Sequence, residues 1–335
     1  MAKAIVLLSG GLDSQLAVKL LIAQGVEVEA LVALSMFHPA GHAEHHPALK
    51  AAKKLGVPVH IIDADRAMLE MVKNPVHGHG KNLNPCIDCH IFLLKCAFAR
   101  MKETGADFIA SGEVLGQRPM SQRRPQLNLV EKHAGVRGYL LRPLSAKLMP
   151  PTIAEETGLV DREKLCAISG RGRHEQIVLA ARLGLADYPA PAGGCLLTEP
   201  NYTARLRELL EHSPDAEADD IVLLRIGRQF RLDEHTKLVM ARDESEGTVL
   251  EPLARAGDVL LEAVDVAGPL ALLRGDMSNA NIELAARLVA KYGKGQECPA
   301  VKVLARFVGG EQRELMAAPA TDEMKKNLII KLRKQ

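Results

Sequence analysis

Apolar residues along this chain come in short runs, separated by segments whose apolar positions recur at helical spacing. Residues 4–8 form the first run; Gly10 and Gly11 break it, and residues 15–24 carry Leu16, Val18, Leu20 and Leu21 on a helical period. Residues 26–34, 57–62 and 107–110 are further strand-like runs, with helical patterns over 48–55, 66–72 and 91–104 between them. Residues 138–148 hold a fifth strand that leaves through Arg142-Pro143-Leu144. Strands alternating with helices predict right-handed βαβ units, and so an α/β fold with a doubly wound parallel sheet over residues 1–200. Past residue 200 the pattern changes. An apolar stretch at 206–210 and a Pro/Asp/Glu-rich linker at 213–220 precede residues 221–232, whose alternation predicts strands bearing Arg225, Arg228 and Arg231 on one surface. Residues 201–335 are expected to form a smaller α+β domain.

Ligands on such a parallel sheet sit beyond the carboxyl ends of the strands. Ser9-Gly10-Gly11-Leu12-Asp13-Ser14 occupies that end of the first strand. Glycines let the backbone approach an anion, the first N–H groups of the next helix point at it, and Ser9 and Ser14 add hydroxyl donors, so the segment is a candidate phosphate cradle. No Gly-Lys-Ser/Thr follows, which excludes a Walker loop, and the spacing is not that of a dinucleotide fold. Asp13 is placed to hold Mg²⁺ or its waters beside the phosphates. The end of the second strand brings Ala33 and Phe37 to where an adenine would lie, with ordinary core as the other reading of Phe37. Loop 111–122 brings Gly112, together with Glu113 or Gln117 for nucleotide or substrate, and Arg118, Arg123 and Arg124 for phosphates. Arg142 and Lys147 are either cations for a triphosphate or a surface pair.

Composition narrows the class. The 335 residues carry 43 Lys+Arg against 41 Asp+Glu, a balance that excludes a polybasic tail-like binder but permits local basic grooves. With 3% aromatics and no Trp, the cores must be built from aliphatic side chains. The chain enters its first strand at once, leaving no room for a signal peptide, and no apolar run approaches the ~20 residues of a membrane span, so a cytoplasmic protein with no membrane contact is expected. Six cysteines are then expected as thiols, metal ligands or catalytic groups rather than as a disulfide framework.

Cys86 and Cys89 open the helical pattern that runs to residue 104, where the helix dipole favours thiolates. Two thiols at that spacing chelate a metal, form a reversible disulfide or supply a nucleophile. Cys195, in Gly193-Gly194-Cys195, is a third thiol presented by a rigid loop. Three thiolates leave zinc a vacancy, whereas an iron–sulfur cluster can carry three protein ligands and one open iron. A metal-free persulfide mechanism, with Cys195 as carrier and Cys86 or Cys89 resolving, is the competing reading. Cys96, Cys166 and Cys298 lie inside apolar patterns and read as buried structural thiols. His38, His42, His45 and His46 read as a solvated loop before a zinc site.

The hexamer Ser9–Ser14 resembles the PP-loop of ATP pyrophosphatases. Together with Cys86/Cys89, Gly112-Glu113-Val114-Leu115-Gly116-Gln117, Arg142-Pro143-Leu144 and Cys195, it makes the first ~200 residues similar to the ThiI-type and MnmA-type tRNA thiouridine synthases. The likeness is greatest to the short ThiI-like branch with a cysteine trio. That resemblance implies a HUP-like fold, ATP and Mg²⁺ held around Ser9, Gly10, Gly11, Asp13 and Ser14, and a [4Fe–4S] cluster on Cys86, Cys89 and Cys195. It implies ATP-dependent tRNA uridine thiolation, in which the uridine is adenylylated and sulfur then displaces AMP. Neither a THUMP-like nor a rhodanese-like domain is recognisable, so the sulfur donor is expected to be sulfide or a cysteine desulfurase. Residues from 201 onward resemble, less specifically, the RNA-binding domain of NFACT proteins. They hold 20 Lys+Arg against 22 Asp+Glu, so any RNA footprint must be local, on Arg225, Arg228 and Arg231 or on Lys325, Lys326, Lys331, Arg333 and Lys334. The alternative for this part is an accessory or dimerisation domain, and a homodimer is compatible with the sequence. Two rival functions stand beside thiolation: a PP-loop ligase or amidotransferase acting on a small carboxylate, and a non-catalytic RNA-binding protein.

Overall fold

The computed structural model describes residues 1–42, 44–190 and 194–331. It divides into two compact units, Met1–Thr198 and Glu199–Gln335. In the first, β1 (Lys3–Leu7), α1 (Leu12–Ile22), β2 (Glu27–Leu34), α2 (Pro47–Leu55), β3 (Val59–Asp63), α3 (Asp65–Lys73), α4 (Cys86–Thr104), β4 (Phe108–Ser111), α5 (Arg124–Ala134) and β5 (Leu140–Leu141) follow in order, with α6 (Ile153–Glu156) and α7 (His174–Arg182) after them. The five strands are parallel in the order β3-β2-β1-β4-β5, as the βαβ pattern predicts. Alternate residues of β1 feed two cores. Ala4 and Val6 pack with Val28, Ala30 and Val32 on one face, and Ile5 packs with Leu31, Leu94 and Ile109 on the other. The chain order reverses between β1 and β4, so the crevice beyond their carboxyl ends is bounded by residues 9–14 and 111–122.

The second unit comprises α8 (Pro200–His212), α9 (Ala218–Leu223), β6 (Arg228–Arg231), β7 (Lys237–Met240), α10 (Glu244–Leu250), β8 (Val259–Ala263), β9 (Ala271–Arg274), α11 (Asn279–Tyr292), β10 (Val301–Phe307), β11 (Gln312–Ala317) and α12 (Asp322–Leu328). Its antiparallel sheet runs β11-β10-β8-β9-β7-β6, and α11 lays Ile282, Ala285, Ala286 and Val289 on one face of it. One expectation here is corrected. Residues 221–223 are helical, not extended, because Glu217 and Asp220 form a capping box that starts α9 and turns Ile221 and Leu223 inward. The three arginines therefore do not form a row: Arg225 follows the helix, while Arg228 and Arg231, three apart on β6, point to opposite faces. Arg228 stacks over Tyr292 at 4.7 Å, and Arg231 pairs with Glu208 at 2.5 Å. Arg333 and Lys334 of the basic tail lie outside the described residues.

Candidate active site

The turn after β1 has the build of an anion cradle. Gly11 caps α1 without a side-chain hydrogen bond, so the first N–H groups of the helix are left for a ligand. Ser9 Oγ donates to Ser14 Oγ at 3.2 Å, Ser14 Oγ donates to the Gly11 carbonyl at 2.9 Å, and Gln15 Nε2 ties the Gly10 carbonyl at 2.8 Å. Two glycines make the turn possible. Gly10 adopts φ +82°, and a Cβ there would collide with the Pro47 and Ala48 backbone at the start of α2. At Gly112, just past β4, a Cβ would come within 2.5 Å of Asp13 C and Ser14 N. Asp13 accepts from Gln117 Nε2 at 2.9 Å through Oδ2, while its buried Oδ1 has no partner among the described residues, and neither has Gln117 Oε1. A buried carboxylate oxygen left unmatched beside open helix N–H groups suits a divalent cation bound with a polyphosphate.

Ala33 is half-buried in β2, and Phe37 is 1% exposed, its carbonyl accepting from Leu196 N at 2.8 Å. The main chain of Phe37 therefore anchors the segment that carries Cys195. Loop 111–122 serves both ends of the site: Gln117 touches Asp13, Arg118 lies close enough to Cys195 to act on its titration, and Met120 Sδ receives Asn84 Nδ2 at 3.5 Å. The same Asn84 nitrogen lies 3.1 Å from Cys86 Sγ.

Cys86, Cys89 and Cys195 come together as free, half-buried thiols. Cys89 is pushed up to about 12, first by burial, then by Cys195, Cys86 and Asp88. Cys195 is pushed up to about 11 by burial and by Cys86, against the Leu197 N–H and Arg118, which lower it. At Cys89 this is contrary to the thiolate expectation: burial beside other sulfurs and Asp88 disfavours the anion. Burial disfavours the anionic form of Cys89 and Cys195, and a cationic centre held among the three sulfurs would favour it, which is the donor chemistry of a thiolate metal or iron–sulfur site. Residues 191–193, just before Cys195, lie outside the described residues. Cys96, Cys166 and Cys298 are half-buried rather than fully enclosed.

Arg142 and Glu113 are placed otherwise than expected. Arg142 is 2% exposed and so is not a surface residue; carboxylates take two of its guanidinium nitrogens, and its buried Nη2 has no partner among the described residues. Its Nε donates to Glu113 Oε2 at 2.8 Å and its Nη1 pairs with Glu131. Glu113 also takes hydrogen bonds from Ser111 Oγ at 3.0 Å and His90 Nδ1 at 2.7 Å. Burial alone would raise the Glu113 carboxyl, but Arg142 and His90 hold it well below the usual carboxylate range. This cluster braces β4, α4, α5 and β5 behind the crevice. Lys147 is exposed and bonds Glu163 at 3.0 Å. In the histidine loop, His46 is buried and caps α2 by accepting from Ala48 N at 3.2 Å, and His42 bonds Asp65 at 2.9 Å.

Sequence reasoning missed Asn84, His90 and Glu131, and also His77, which bonds Asp88 at 2.6 Å between the two helix cysteines. Asn84 stands two residues before Cys86, a local signal. His90 directly follows Cys89 on α4, while Glu131 and His77 arrive from separate segments.

Residues 2–153 match the model of the tRNA methyl transferase HUP domain, and residues 227–329 match that of the NFACT protein RNA binding domain. Cys195 lies between the two stretches. A tRNA-specific 2-thiouridylase MnmA from Sulfurimonas denitrificans is 36% identical over 125 residues, covering 34% of this chain and 36% of that protein. The protein of the same name from Mesoplasma florum is 26% identical over 257 residues, 68% of this chain and 65% of that one. The chain thus spans about a third of the length of the first curated relatives it matches. A solved 4-thiouridine synthetase–RNA complex with bound ATP aligns with 22% identity and a TM-score of 0.36, over 55% of this chain and 52% of that one. Among the described residues, no helix is long and apolar enough to cross a membrane.

Proposed function

We propose that this chain, a PP-loop protein of the tRNA thiouridine synthase group with an NFACT-type RNA-binding domain after it, thiolates a uridine of tRNA using ATP and sulfide. The observation that carries the reading is that one loop, residues 111–122, bonds the cradle at Asp13 through Gln117 and, through Met120, the Asn84 that contacts Cys86, with Arg118 near enough to Cys195 to act on it electrostatically. An activated base held in the crevice would thus lie between the group that activates it and the groups that handle sulfur.

In the first step the α1 N–H groups, Gly10, Gly11 and the Ser9 and Ser14 hydroxyls hold the β- and γ-phosphates of ATP; Asp13 would hold a Mg²⁺ ion, which when bound neutralises phosphate charge. The uridine carbonyl oxygen attacks the α-phosphorus, the bond to the bridging oxygen breaks, and pyrophosphate leaves with that electron pair. In the second step hydrosulfide, supplied as sulfide or released from a cysteine desulfurase's persulfide by an external thiol that is oxidised to a disulfide, adds to the activated ring carbon. The carbon–oxygen bond breaks, AMP leaves with the oxygen, and the sulfur loses its proton to solvent. Holding the attacking oxygen in line, and placing donors where negative charge develops, supplies most of the rate. Cys86, Cys89 and Cys195 would hold a [4Fe–4S] cluster, which when bound supplies one iron position not taken by protein and open to a sulfur donor. Asn84 and Arg118 orient and polarise that thiol set. Ala33 and the main chain at Phe37 line the adenine side.

The experiment is anaerobic purification with measurement of iron and acid-labile sulfide, followed by thionucleoside analysis of tRNA incubated with ATP and sulfide. Expected is a cluster-level iron content and ATP-dependent thiolation, both lost in Cys86→Ser, Cys89→Ser and Cys195→Ser. Stoichiometric zinc, or full activity in metal-free protein, overturns the cluster. Pyrophosphate release indifferent to tRNA and to the cysteines overturns the thiolation reading in favour of a ligase.

A further inference from the structure

The C-terminal unit contains a cavity of ≈ 430 Å³ lined from α8, α9, β6 and β7. Leu209, Leu223 and Val239 form its apolar side, and Arg231, His235 and Lys237 contribute the polar side. A space of this size takes a ligand of roughly mononucleotide dimensions.

Its floor is short of negative charge. Lys237 is 8% exposed, and its Nζ has no hydrogen-bond partner among the described residues, meeting Glu208 Oε2 only at 3.5 Å. Arg231 gives Nε to Glu208 Oε1 at 2.5 Å, but its buried Nη2 has no partner among the described residues. Two cations thus share one carboxylate. The other acids nearby are committed or solvated: Asp220 and Asp258 are both bound by Arg274, at 2.7 and 2.6 Å, and Asp215 and Glu217 are exposed at the rim. Burial pushes Lys237 down to about 8, with Arg231 and Arg205 adding to the shift and Glu208 opposing it. Buried donors without good acceptors are costly: Arg231 Nη2 has none and Lys237 Nζ has only the long contact to Glu208 Oε2, and a phosphate oxygen would serve both.

We infer that this cavity binds a nucleotide through a phosphate group whose oxygens accept from Lys237 Nζ and Arg231 Nη2, with the sugar and base against Leu209, Leu223 and Val239. The phosphate belongs either to a free nucleotide or to the end of an RNA chain. The site is separate from the cradle of the N-terminal unit and does not rest on the thiolation reading.

Equilibrium dialysis of the full-length protein against AMP counts the sites. Wild type and Lys237→Arg are expected to bind one equivalent more than Lys237→Met and Arg231→Gln. An equal count in all four overturns the proposal. If the two charge-removing variants misfold, wild type decides alone: it is expected to lose one AMP equivalent between pH 7 and pH 9.5, as Lys237 deprotonates, and an unchanged count overturns the site. Competition for that equivalent identifies the source. Displacement by a 5′-phosphorylated but not a 5′-hydroxyl oligoribonucleotide points to an RNA end, and displacement by neither points to a free nucleotide. Displacement by adenosine, which has no phosphate, sinks phosphate anchoring.

Discussion

Gly112→Ala isolates the close approach that builds the cradle. The added methyl would lie 2.5 Å from Asp13 C and Ser14 N and 2.6 Å from Asp13 O, all backbone atoms, whereas ordinary contact begins at 3.4 Å. The first turn of α1 and the end of β4 must therefore separate by about 0.9 Å, and neither can yield by rotating a side chain. Gly112 is not one of the positive-φ glycines, so the effect is steric and carries no backbone strain of its own. Overpacking of this kind costs about 1–3 kcal/mol, offset by roughly 0.4–1 kcal/mol from the stiffer unfolded chain. A Tm drop of about 2–4 °C per net kcal/mol follows. Activity should suffer more, because a displacement near 1 Å at a positioning group costs on the order of 10²-fold in rate. The assay is ATP- and tRNA-dependent pyrophosphate release, with thermal unfolding on the same samples. Gly172→Ala is the control: a Cβ there meets nothing within 4 Å, and both readouts should stay at wild type. Wild-type turnover in Gly112→Ala would refute the claim that β4 and the α1 N-terminus set the cradle geometry.

Asp13→Asn should lower stability by no more than ~1 kcal/mol, as loss of a first-turn carboxylate does, yet abolish pyrophosphate release; retained turnover in the purified variant rules out the metal role. Arg142→Met leaves Glu113 and Glu131 without their cation and should cost about 3–5 kcal/mol in urea unfolding, with Arg142→Lys unable to restore the forked geometry. The Glu113 carboxyl is held below its ordinary 4.5, so its contribution to stability is complete above that pH and lost as pH falls beneath it. Glu113→Gln should flatten that acid limb, and an unchanged limb would show that other carboxylates produce it. Lys237 has the opposite consequence. Its folded value of about 8 lies below the ordinary 10.5, so between those two values the unfolded chain holds the proton that the folded chain has released, and stability rises with pH. The difference between wild type and Lys237→Met in unfolding free energy should therefore grow in favour of wild type across that window; a constant difference would count against a buried, strained ammonium.

The amino-acid pattern alone determined the parts of this protein whose cause is local. Alternating apolar runs and helical periods prescribe the parallel sheet, Gly10-Gly11 prescribes a turn that only glycine can make, and Ser9–Ser14 must then end up beyond the carboxyl edge of β1. Residues 221–223 show where local pattern fails. Their apolar run suits strand or helix equally, and the capping pair Glu217–Asp220 decided the matter. Whether a charge is spent or free was not legible at all, because its partners come from distant segments. Arg142 meets Glu113 and Glu131, Arg231 meets Glu208, and Cys195 reaches the neighbourhood of Cys86 and Cys89 across about half of the N-terminal unit's length. Tertiary structure settled those questions through desolvation. Once buried, an arginine must find carboxylates, clustered thiols hold their protons, and a lysine with half a counter-ion is left short of an acceptor.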